Sequence, residues 1–263
     1  MPGVSKILCL PGYLQSGATL ARKASGLRKT LTKQLNMELD FLSPCHPIPS
    51  RHELEFQLGP TDEEADKVWD RLVAGGNNCR WYDHLAPGQD TGLEESIEFV
   101  VDHIRNNGPY DGIIGFSQGA AMAIMITNSL RRLLPQHPDF KISMFVSGFC
   151  LVVPRDGNFS RENVERLHEL TDVAEYAAQV ELAPNAKQYY EVADRDHFDT
   201  EVVLVYGDND SVVPPIRSKH VSMLYPEEKV HVFSHEGAHL VPNQKAFVKP
   251  VAELFSRRLT GKL

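Results

Sequence analysis

No stretch of the 263-residue sequence approaches the ~18 consecutive apolar residues a membrane-spanning helix requires. The opening Met1-Pro2-Gly3-Val4-Ser5-Lys6 lacks the long apolar core of a secretory leader, and the run Ile7 to Leu10 behind it is only strand-sized. Cysteine is sparse: Cys9, Cys45, Cys79 and Cys150 are widely scattered with no C-x-x-C pair, which argues against a zinc knuckle or a disulfide framework. Free thiols fit a reducing, cytoplasmic setting. Positive charge is also short, with 27 Lys and Arg against 35 Asp and Glu, a net charge of −8 and no basic stripe. A nucleic-acid partner is therefore not expected. There are no internal repeats, low-complexity tracts or composition shifts that would mark a linker, so residues 1–263 read as one domain. The sequence is silent on oligomeric state.

Apolar segments with the period of strands alternate with segments of helical period. Residues 5–11 read as a buried strand stopped by Pro11-Gly12. Leu20, Ala24, Leu27, Leu31 and Leu35 then recur at steps of three and four, predicting one helix over 18–35, and Met37 to Leu42 a second strand. A helix over Leu93 to Asn106, a strand and long helix around residue 117, and a strand over Ile142 to Ser147 follow. Val202 to Tyr206 and Lys229 to Ser234 close the strand series, and a last helix from Asn243 to Leu259 is expected to be disturbed by Pro250. This order predicts an α/β fold: a doubly wound, mostly parallel sheet of about six strands. Two stretches break the rhythm. Residues 44–92, with Pro44, Pro47, Pro49 and Pro60 and both tryptophans, read as a long irregular loop that either covers the sheet edge or walls a pocket. Residues 155–200, polar and helical over Glu162 to Tyr176, read as a lid or cap.

Tyr110-Asp111-Gly112-Ile113-Ile114-Gly115-Phe116-Ser117-Gln118-Gly119-Ala120-Ala121 contains the pattern Gly-x-Ser-x-Gly between an apolar strand and a small-residue helix. A serine at the tip of such a turn takes a positive φ, and the strand and helix then approach so closely that only glycine fits two residues either side. The strain aims the Ser117 hydroxyl off the sheet. The helix start behind it supplies partial positive charge where an oxyanion would form. A glycine turn with an incidental serine is the bland alternative.

A serine becomes a nucleophile when a histidine held by a carboxylate takes its proton. In this kind of fold the order is Ser, acid, His, with acid and base on loops after later strands. Gly207-Asp208-Asn209-Asp210 follows the 202–206 strand, and Asp210 is favoured because Asp208, first off the strand, is the residue a turn would fix. His239, in Glu236-Gly237-Ala238-His239, follows the last strand and is the expected base. His235 to His239 also reads H-E-x-x-H, a zinc-peptidase pattern, but that site needs a helix, and Gly237 and Pro242 argue against one. No metal is expected. The oxyanion amides are assigned to Gln118 and, in Leu10-Pro11-Gly12-Tyr13, to Tyr13. Leu14, Phe149 and Trp81 are expected to contact substrate.

With Leu-Pro-Gly-Tyr-Leu-Gln-Ser-Gly (10–17), Gly-Phe-Ser-Gln-Gly (115–119), Ser-Gly-Phe (147–149), Gly-Asp-Asn-Asp-x-Val-Val-Pro (207–214) and Gly-Ala-His-x-Val-Pro (237–242) in that order, the chain resembles the fungal FSH-type serine hydrolases. These are α/β-hydrolases related to the ovarian-cancer-associated hydrolase of animals. The resemblance spans about residues 5–255. It implies ester or thioester hydrolysis without a cofactor, with Ser117, Asp210 and His239 as triad and Tyr13 and Gln118 as oxyanion donors. Some members release a polyketide or fatty acyl product from an acyl carrier protein, so that partner is one the resemblance admits. A short-chain carboxylesterase and a catalytically silent binding protein on the same fold are the alternatives.

Overall fold

The computed structural model describes residues 4–86, 89–192 and 197–261. Residues 1–3 of the leader reading, and 87–88 and 193–196 of the two irregular stretches, lie outside them. Six strands form the central sheet: β1 (Lys6–Leu10), β2 (Glu38–Phe41), β3 (Gly112–Phe116), β4 (Ile142–Val146), β5 (Glu201–Gly207) and β6 (Val230–His235). Their order is β2-β1-β3-β4-β5-β6, and every neighbouring pair is parallel. This is the expected doubly wound sheet.

The helices follow from which faces the strands leave apolar. Along β1 the side chains alternate, so Ile7 and Cys9 join one core while Leu8 and Leu10 join the other. The first core is closed by α1 (Gly17–Lys23), α2 (Ser25–Lys29) and a π-turn at Thr30–Gln34, through Leu20, Leu27 and Leu31. Beyond the Pro-rich stretch and its α3 (Asp62–Ala74), α4 (Leu93–Asn107) and α5 (Gln118–Leu133) cover the opposite face. Three short cap helices follow, α6 (Arg161–His168), α7 (Val173–Gln179) and α8 (Lys187–Tyr190), then α9 (Pro215–Val221) and α10 (Lys245–Thr260). The last returns to the first face with Val248, Val251 and Phe255. Sheets covered on both faces have strands without polar alternation, and β3 and β4 are buried along their whole lengths.

Three expectations change. The 18–35 helix is broken at Ala24, whose φ and ψ of −94° and 26° leave the α region. The 44–92 stretch is not wholly irregular, since it holds α3 and two small antiparallel ribbons, His46–Pro47 with Cys79–Arg80 and Asp83–Ala86 with Gln89–Thr91. The single cap helix over 162–176 is two, separated where the Asp172 side chain accepts from the Glu175 amide and starts α7. None of the described helices is long and apolar enough to cross a membrane.

Candidate active site

In an open parallel sheet the crevice lies beyond the carboxyl ends of the strands, where successive connections leave in opposite directions. Here that point falls between β1 and β3, and the loops that leave β1, β3, β4, β5 and β6 carry Tyr13, Ser117, Ser147, Asp210 and His239.

Ser117 caps α5 with φ 54° and ψ −121°, a conformation costly for any residue with a side chain. The backbone permits it only because its neighbours are bare. A Cβ on Gly115 would lie 2.4 Å from the Gly119 carbonyl oxygen, and one on Gly119 would lie 2.3 Å from those of Leu10 and Pro11. The loop after β1 therefore passes directly under the elbow, and a Cβ on Gly12 would sit 3.1 Å from the Ser117 Cβ. Tyr13 and Gln118 each follow one of these two residues in the chain, and neither amide meets an acceptor among the described residues.

His239 Nε2 lies 2.9 Å from Ser117 Oγ, and its Nδ1 lies 2.8 Å from Asp210 Oδ2. The carboxylate accepts only, so Nδ1 carries the proton and donates to it, which leaves Nε2 as an acceptor for the serine hydroxyl. Asp210 is 3% exposed and held from several sides. Ser147 Oγ donates to Oδ2 at 2.8 Å, and the Val212 and Val213 amides donate to Oδ1 at 3.0 and 2.9 Å. Burial pushes the Asp210 carboxyl up, but the His239, Val213 and Ser147 donors together hold it below the usual carboxylate value. Asp208 is exposed, and its amide donates to the His235 carbonyl, so it belongs to the turn. His235 ends β6 and residues 236–240 form bends rather than a helix; the two histidines of the H-E-x-x-H pattern share no helical face.

Ser117 opens on a cavity of about 230 Å³ lined by Tyr13, Phe56, Tyr82, Phe149, Leu151 and Arg217 among others. A larger groove of about 1180 Å³ runs between the π-turn and α10, away from every residue of this relay, and has no paired nucleophile and base. Phe149 is where the sequence places it, on the cavity wall. Trp81 and Leu14 are not. Trp81 is fully buried behind the site, with its indole N–H donating to the Pro11 carbonyl at 2.8 Å. Leu14 turns away at φ 53°, its amide donating to the Cys79 carbonyl. The cavity wall is formed there by Tyr82 and Phe56 instead.

Two side-chain roles went unassigned by sequence reasoning. The Gln118 side chain accepts from the Trp81 amide and donates to the Tyr82 carbonyl, each at 2.9 Å, and so latches the 81–82 segment to the elbow. Ser147 takes φ 48°, which turns its hydroxyl toward Asp210. The Ser-Gly-Phe motif was visible, but nothing in its residue types tied it to the acid.

The serine hydrolase (FSH1) family model matches residues 1–251. Over 249 residues the chain is 27% identical to Esterase OVCA2 of Danio rerio, with 90% of each chain covered. It is 29% identical over 254 residues to a Schizosaccharomyces pombe protein named dihydrofolate reductase; the match takes in 92% of this chain and only 45% of that protein. The crystal structure of Zea mays acyl-protein thioesterase 2 aligns with a TM-score of 0.51 at 17% identity, covering 98% of this chain and 96% of that one. At that identity the likeness is one of fold, that of the α/β-hydrolases. With 251 of its 263 positions inside the family model, the chain belongs to the serine hydrolase (FSH1) family.

Proposed function

We propose that the protein hydrolyses carboxylic esters or thioesters through an acyl-enzyme on Ser117. The observation that carries this is the unbroken relay from Ser117 Oγ through His239 to Asp210, with both contacts under 3 Å, at the edge of a cavity. His239 takes the hydroxyl proton as Oγ attacks the carbonyl, and the imidazolium that forms is stabilised by Asp210. The Tyr13 and Gln118 amides hold the oxyanion; a single such donor is typically worth about 10²–10³ in rate. His239 then hands the proton to the leaving alcohol or thiol, and activates the water that releases the acid. No cofactor enters these steps.

The finer reading is release of a polyketide or fatty acyl group from an acyl carrier protein in the cytoplasm. It is supported by the family resemblance and by the apolar character of Phe56 and Val212, which are 52% and 62% exposed at the cavity and can carry a chain too long for it. The test of the central reading is labelling by a fluorophosphonate, with the modified peptide located by mass spectrometry. Label on Ser117 that His239→Ala abolishes is the expected result. An unlabelled, folded wild-type protein would return the chain to a binding role.

A further inference from the structure

One residue of the cavity wall is not accounted for by ester hydrolysis. Arg217, in the first turn of α9, places its guanidinium carbon 4.2 Å from the centre of the Phe149 ring. The geometry is fixed by its neighbour, since Ser218 Oγ donates to the Gly148 carbonyl at 2.8 Å and ties α9 to the Ser147-Gly148-Phe149 turn. Arg51, Arg80, Arg131 and Arg258 each meet a carboxylate. Arg217 meets no carboxylate among the described residues; its Nε is buried without an acceptor, and the hydrogen bond it does make is to Tyr176. The side chain beside it is neutral, the Tyr176 hydroxyl. His168 and His220, also close, are held near 4 by burial first and by the Arg217 charge second, so they bring no charge of their own near neutral pH.

A half-buried cation without a counter-charge is costly. Stacking on Phe149 engages the guanidinium face, and beyond the hydrogen bond to the Tyr176 hydroxyl the in-plane N–H groups remain, the donors that match a carboxylate two at a time. The acids at the same cavity do not fill the role. Glu55 is exposed and, with Asp83, lies on the Tyr13 side; Asp83 is already paired with Arg80 at 3.1 Å. Resting on the hydrolase reading for its chemistry, but setting a short anionic acyl group in place of the long neutral chain, we infer that Arg217 is an anion-recognition residue and that the preferred substrates are half-esters or half-thioesters of short dicarboxylic acids. The free carboxylate sits on Arg217 while the esterified carbonyl faces Ser117. A cavity of about 230 Å³ that both residues line keeps the two ends within one short acyl group. Water is the only co-reactant: the acyl–oxygen or acyl–sulfur bond breaks, the leaving group takes the proton from His239, and a dicarboxylic acid departs.

The experiment compares hemisuccinate and hemiglutarate esters with the neutral butyrate and valerate esters of the same alcohol, on wild type, Arg217→Gln and Arg217→Lys. The expected wild-type preference in kcat/KM for the anionic acyl group is at least about tenfold, the scale of a charge-assisted hydrogen-bond pair. Arg217→Gln should collapse that ratio toward one, and Arg217→Lys should restore part of it. A wild type that favours the neutral esters, or a ratio that Arg217→Gln leaves in place, overturns the inference. A further arm sets butyryl-phosphopantetheine against butyryl-pantetheine; a preference there would put the anion in the leaving group and overturn it as well. Titration of succinate and butyrate into Ser117→Ala by calorimetry needs no turnover. Succinate binding tighter by about tenfold or more, and lost in the Arg217→Gln double variant, is expected even if the hydrolase reading fails, whereas equal binding counts against the anion site alone.

Discussion

Asp210 and Asp208 stand two residues apart on one loop, and the structure gives them opposite surroundings. Asp210 is buried and accepts from His239, Ser147 and two amides, whereas Asp208 is exposed on the turn. Asp210→Asn would present an amide to His239 and favour the tautomer with its proton on the wrong nitrogen. Losses of about 10⁴ in kcat are typical when a triad acid is changed this way. Asp208→Asn should remain within a few-fold of wild type, and equal losses from the two would refute the assignment. Ser147→Ala should be milder. It removes one donor from a buried carboxylate, worth about 1.5–3 kcal/mol, and should lower kcat by tenfold or more with little change in KM. Ser117, Asp210 and His239 could be located in the sequence because each lies on the first loop after a strand, and strands of this kind announce themselves. Trp81 misled because a bulky aromatic in an irregular stretch carries no sign of which way it faces. Its direction is set by Gln118 and Pro11, residues far away in the chain.

The 44–92 segment is tied down by Asn77 on Ser16 and Thr19, by the Trp81 indole on Pro11, and at the elbow itself by the Gln118 latch. Removing that side chain leaves the Trp81 N–H and the Tyr82 carbonyl buried without their partners, at about 1–3 kcal/mol for each group. Gln118→Ala should therefore lower the urea midpoint and raise KM by loosening Tyr82. The effect on kcat should be smaller, because the Gln118 main-chain amide is retained. A variant with unchanged KM and lowered kcat would place the side chain in the chemistry instead. The same segment shows why α3 was missed. Of its residues only Ala65 is fully buried, so its apolar spacing answers no core and reads as loop. Its start was legible from Thr-x-x-Glu: the Thr61 hydroxyl accepts from the Glu64 amide as an N-cap and donates to the Glu64 carboxylate. The break at Ala24 left no such mark. Leu20, Leu27 and Leu31 keep facing the same core through it, so the period stays helical while the backbone does not.

The sheet was legible because burial on both faces makes each strand a short apolar run, and parallel order follows from the helices between them. What that pattern cannot report is how protonation feeds back on the fold, which depends on groups brought together from distant elements. His168 on α6 and His220 on α9 are both held near 4, by burial first and the Arg217 charge second, and burial lowers His235 in the same direction. In the unfolded chain these imidazoles bind protons near the ordinary value of about 6.5. Between about 6.5 and 4 the unfolded state thus carries more protons than the folded one, and stability falls as pH drops through that window. Each histidine adds at most about 1.4 kcal/mol per pH unit to the slope, less here because both keep contact with water. Lower still, Asp40, Asp199 and Asp210 continue the loss. Their folded values lie below the ordinary one, so stability they contribute above about 4 disappears as pH falls through the folded values. Urea midpoints should hold from pH 7.5 to about 6.5 and decline from there to 4.5, and the His168→Gln, His220→Gln double variant should flatten that decline. Because α6, α7 and α9 share the small core of Leu167, Tyr176, Val180 and Ile216, the acid loss should appear first there. Hydrogen exchange at pH 5 should accelerate in α6 and α7 before the β3 and β4 amides; uniform acceleration would show that the cap and the sheet titrate as one unit.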